Sequence, residues 1–87
     1  MEATEHRTHQ RIAWRGLVRL LIPGRDPVEA TIADISESGC GVCIEQAIDP
    51  GVEVTIDGVG FYGAGVVRYC YRLHGAFRAG IELRPAD

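Results

Sequence analysis

The sequence predicts an all-β protein: a small six-stranded antiparallel β-barrel with a flexible N-terminal arm. Three observations predict it. Apolar residues recur at every second position in short runs, the pattern of strands with one buried face. Gly, Pro and Asp cluster between the runs at turn spacing. No stretch carries a helical period over ten residues. Short connections force neighbouring strands to run antiparallel. Six short strands in a chain of 87 residues bury their edges most economically by closing into a barrel.

The first strand is read over residues 12–22, IAWRGLVRLLI. Ile12, Trp14, Val18, Leu20 and Ile22 share one side, and Arg15 and Arg19 the other. Trp14 falls in this apolar stripe and is expected in the core. PGRDP (23–27) is a turn. VEATIAD (28–34) sets Val28, Ala30 and Ile32 against Glu29 and Thr31. After DISESG, the run CGVCIE (40–45) carries Val42 and Ile44 two apart, and DPG (49–51) breaks the chain. VEVTI (52–56) alternates cleanly into a hairpin signal at Asp57-Gly58. FYGAGVVRYCYRL (61–73) is a long strand whose glycines permit a bend or bulge. His74-Gly75 turns it into AFRAGIELR (76–84). Residues 1–11 have no apolar period and are assigned to the arm, with 12–87 forming the barrel.

Composition narrows the function. Hydrophobic residues are 46% and charged residues 24%, as in a soluble globular chain rather than a disordered one. No apolar run reaches the roughly 20 residues of a membrane helix, so membrane insertion is not expected. The charged N-terminus lacks the apolar segment of a secretory signal, and a cytoplasmic location is the default. Charge is uneven. Residues 1–25 hold five arginines and two glutamates, net +3, whereas residues 26–87 hold four arginines and ten acids, net −6. A basic end on an acidic body fits a small anionic partner met locally. It does not fit DNA or RNA, which call for a broad basic surface.

Cys40, Cys43 and Cys70 are an odd count, which argues against a disulfide framework. Cys40 and Cys43 form CxxC, but strand alternation turns them to opposite faces, where they cannot grip one metal. Together with His6 and His9 they would make a zinc set of unusual order, and no metal site is assigned. The serines and histidines assemble no nucleophilic triad, and no paired-carboxylate or phosphate-loop signature is present. The chain is not read as an enzyme, and no catalytic residue is assigned.

Two short patterns carry recognition chemistry. Arg7 and Arg11 lie four apart, about 6 Å between Cβ atoms on one helix face or about 13 Å on one side of an extended chain. Either way two guanidinium forks point together. Each fork matches a phosphate or the O6/N7 edge of guanine. In DISESG, Asp34 offers a carboxylate that accepts two donors side by side, such as the N1–H and N2–H of guanine. Ser36 falls on the same side of the strand as Asp34 and can donate or accept. Gly39 admits a flat base close to the backbone, or simply supplies a positive φ to a turn.

RxxxR in an N-terminal arm (Arg7, Arg11), a first strand, and then D/N-x-S-x-x-G (Asp34, Ser36, Gly39) resembles the PilZ domain family. The likeness runs over nearly the whole chain, to GIEL (80–83) as the last strand. The resemblance implies a six-stranded antiparallel barrel that binds the bacterial second messenger cyclic di-GMP, with no cofactor. It implies that Arg7 and Arg11 grip guanine and phosphate, that Asp34 and Ser36 bind a guanine edge, and that Gly39 shapes the floor. His6 and Thr8 stand where relatives often carry a further arginine. They join Arg78 as secondary candidate contacts, and they bear on whether one ligand or a stacked pair binds. The expected action is a relay: the ligand orders the arm, and an unidentified effector protein controlling motility, pili or exopolysaccharide reads the new surface. The alternative is a PilZ-like interaction module that has lost its ligand.

Overall fold

The computed structural model describes residues 16–85. It contains six strands: β1 (Gly16–Leu21), β2 (Val28–Ile35), β3 (Gly39–Ile44), β4 (Glu53–Gly58), β5 (Phe61–Leu73) and β6 (Ala76–Leu83). They close into one barrel in the order β1-β2-β3-β6-β5-β4, and every pairing is antiparallel. The predicted all-β barrel is the observed fold. Ile12, Trp14 and Arg15 of the first predicted strand, and the whole arm, lie outside the described residues.

Alternation decides which side chains fill the barrel. Leu20 of β1, Ile32 of β2, Val42 and Ile44 of β3, Ile56 of β4, Val67 of β5 and Ala79 of β6 are essentially inaccessible to solvent. Each fully buried branched aliphatic contributes about 1.5–3 kcal/mol over its exposed state, so this set is the main source of stability. Ile48 joins them from the loop between β3 and β4. Ile48 packs in the same core cluster as the strand residues. Gly51 N–H donates to the Val67 carbonyl at 2.7 Å, and Val67 N–H donates to Val52 at 2.9 Å, which ties the loop to β5.

Two details differ from the sequence reading. Asp57-Gly58 is not the turn. Gly58 remains in β4, paired with Phe61 and with Val18 of β1, and the chain reverses at Val59-Gly60, where Gly60 takes φ 78°. Gly58 is glycine because a Cβ there would sit 2.5 Å from Val18 Cγ1. The bulge in β5 is not at its glycines either. It falls between Val67 and Tyr69, so Arg68 is the extra residue. The His74-Gly75 turn stands as read, with φ 51° and 83° at its two central residues, the signs of a type I′ hairpin.

Candidate functional site

The DISESG stretch is a strand end and a tight connection. Ser36 N–H donates to the Gly39 carbonyl at 2.8 Å, closing the hairpin between β2 and β3. The Ser36 hydroxyl reaches the same carbonyl at 3.4 Å. Gly39 already belongs to β3 and is absent from the positive-φ glycines. Its lack of a side chain answers a close approach instead, because a Cβ would lie 2.1 Å from the Ile81 carbonyl oxygen of β6.

A second bulge aims the acid. Strict alternation after Ile32 would send Asp34 into the core. The β2–β3 register shifts between Ile32 and Asp34, leaving Ala33 as the extra residue. Asp34 then stands opposite Gly41 on the outer face, while Ile35 packs against the core. Bulges commonly re-aim a side chain in this way.

From Asp34 a row crosses four strands: Asp34 of β2 faces Gly41 of β3, Gly41 faces Gly80 of β6, and Gly80 faces Tyr69 of β5. The two glycines carry no side chain of their own, and both are buried beneath neighbours that lie over the row. At the far end the Tyr69 ring lies over Gly80, where a Cβ would meet its Cε2 at 2.3 Å. At the near end Arg78 reaches across β3 and donates from Nη2 to Asp34 Oδ2 at 2.8 Å. The bridge passes over Gly41, whose Cβ would come within 3.0 Å of Arg78 Nη2 and 3.2 Å of Asp34 Oδ1. Both side chains are about three-quarters enclosed, so the pair is less screened than the exposed Arg84–Glu53 pair, whose contribution is slight. Arg78 Nε is buried with no hydrogen-bond acceptor among the described residues.

Asp34, Ser36, Gly39, Gly41, Tyr69 and Gly80 thus line one open cleft of about 300 Å³ on the outside of the barrel. Under it lies Cys40, buried at 6% exposure. Its thiol is pushed up to about 11, first by burial and then by the Asp34 charge. Cys43 is exposed, so the two thiols of CxxC do face opposite ways. Of the candidate site residues, Asp34, Ser36, Gly39 and Arg78 gather in or beside the cleft. Arg7, Arg11, His6 and Thr8 lie outside the described residues.

Sequence reasoning missed Gly41, Gly80 and Tyr69 as parts of this surface. The first was legible: glycines at alternate positions of a strand, Gly39 and Gly41, necessarily strip one face. The meeting of Asp34 with Arg78, 44 residues on, has no local signal. Tyr69 and Tyr71 stand two apart on β5. Their rings stack, with centroids 5.9 Å apart and planes 17° apart, each about half exposed.

A closed six-stranded antiparallel barrel with a polar, glycine-lined cleft on its outer face defines a class of small β-barrel domains. The chain belongs to the PilZ domain family, whose model matches residues 5–87. The fold is similar to the PilZ domain with c-di-GMP of YcgR from Escherichia coli, with TM-score 0.68 and 15% identity over 90% of this chain and 77% of that one. It is also similar to YcgR in complex with c-di-GMP from the same organism, with TM-score 0.71 and 14% identity over 91% of this chain and 38% of that one. No curated protein sequence matches. No helix among the described residues is long and apolar enough to cross a membrane.

Proposed function

We propose that this protein is a receptor for cyclic di-GMP. The observation that carries the reading is the outer cleft, where Asp34 and Ser36 line one open pocket together with Gly39, Gly41, Tyr69 and Gly80. One oxygen of Asp34 accepts from Arg78. A carboxylate has about four lone-pair sites, so acceptor capacity remains for the N1–H and N2–H of a guanine entering the cleft. Family membership over residues 5–87 supports the same ligand.

Arg7 and Arg11, in the arm of residues 1–11, would close over the phosphates and the opposite guanine edge as bidentate donors. A ligand with two guanines and two phosphates then bridges arm to barrel. Ordering of the arm is the output, and an effector protein reads it. The protein acts by binding and carries out no catalysis in this scheme.

Calorimetric titration of cyclic di-GMP tests the reading, run beside Arg11→Ala and Asp34→Ala. Micromolar or tighter binding, weakened at least about tenfold in each variant, is the expected result, and the stoichiometry separates one ligand from a stacked pair. Amide exchange in residues 1–11 is expected to slow at saturation. Heatless titration of folded protein would overturn the receptor reading in favour of a ligand-free interaction module.

A further inference from the structure

We infer that Arg78 is a positioning residue for guanine recognition, acting through Asp34 rather than on the ligand. The inference rests on the proposed cyclic di-GMP site and names what sets its base specificity. Three observations carry it. Arg78 donates to one oxygen of Asp34 at 2.8 Å across the full width of β3. The bridge passes over Gly41, which has no side chain to block it and whose Cβ would press within 3.0 and 3.1 Å of the guanidinium nitrogens. The pair is partly enclosed on both sides, where a charge-assisted hydrogen bond holds its partner firmly.

The chemistry follows from geometry. A short acid at the end of a bulged strand has rotational freedom about both its side-chain bonds. Fixing one oxygen toward β6 fixes the other, and thereby the plane in which two parallel donors must arrive. Guanine presents such a pair, N1–H and N2–H. Hypoxanthine presents only N1–H. The Arg78–Asp34 bridge therefore sets the preference for a 2-amino purine, while the phosphate contacts are independent of it.

The test compares cyclic di-GMP with its inosine analogue, which lacks the 2-amino group, on the full chain by calorimetry. The native protein is expected to favour the guanine ligand by about tenfold or more. Arg78→Ala is expected to bring the two ligands within about twofold of each other. Gly41→Ala, which keeps the arginine but crowds it off Asp34, is expected to do the same, and it carries the test if Arg78→Ala does not fold. In a double-mutant cycle, Arg78→Ala should cost little more once Asp34→Ala is present, because its effect passes through that carboxylate. Equal weakening of both ligands, or penalties that multiply in the double variant, would overturn the inference and make Arg78 a direct contact or a purely structural residue. A native protein that binds both cyclic dinucleotides equally overturns the inference alone. One that binds neither overturns the receptor reading, and the inference falls with it.

Discussion

Two residues beneath the cleft report on it without any ligand. Gly39 has the Ile81 carbonyl where its Cβ would stand, so the fault in Gly39→Ala is a backbone collision, not a lost turn. Overpacking of this kind costs about 2–3 kcal/mol, and a melting curve of the unliganded variant should fall by roughly 10 °C or more for a domain of this size. Cys40 gives a pH signature. Its thiol pKa is raised in the folded state, from 9.0 to about 11. The stabilisation from burying the neutral thiol is therefore complete below pH 9 and is lost as pH climbs toward 11. A Cys40→Ala variant should show a flatter decline in stability across that window, measured by denaturant midpoints at stepped pH.

At the scale of elements, the strands were legible and their irregularities were not. Period-two patterning located all six strands to within a few residues, because a barrel wall must put every second side chain inside. The bulges at Ala33 and Arg68 obey no such rule. Each is a register shift against the next strand in the chain, and only that pairing shows that Asp34 faces outward despite following Ile32 by two. For the same reason DISESG announced an acid, a hydroxyl and a glycine but not the arginine that holds the acid. Turns fall between these cases. Asp57-Gly58 looked like a reversal, yet Gly58 answers to Val18 across the ladder, whereas His74-Gly75 is a reversal in fact. Both residues of that turn have positive φ, which costs a β-carbon about 1 kcal/mol. Gly75→Ala should destabilise by about that amount, and His74→Asn should gain a few tenths, since Asn tolerates the region better. Chemical denaturation of the two variants side by side measures both signs.

In the molecule as a whole, the ring is complete where β4 meets β5, a ladder that runs from Phe61 to Val66. Past it, Tyr69–Leu73 of β5 is hydrogen-bonded to β6 on one side and has no described strand on the other. An uncovered strand edge is a template on which a second chain can add itself, and folded proteins survive by spoiling it. Here the edge is kinked at its root by the Arg68 bulge and carries a second guanidinium at Arg72, set over the Phe77 ring at 5.3 Å. The bulge, Arg72 and Arg68, which is ion-paired with Glu82, would oppose such addition. Replacing Arg68 and Arg72 together with valine should produce a protein whose light scattering climbs steeply with concentration, while single replacements leave it close to the native curve.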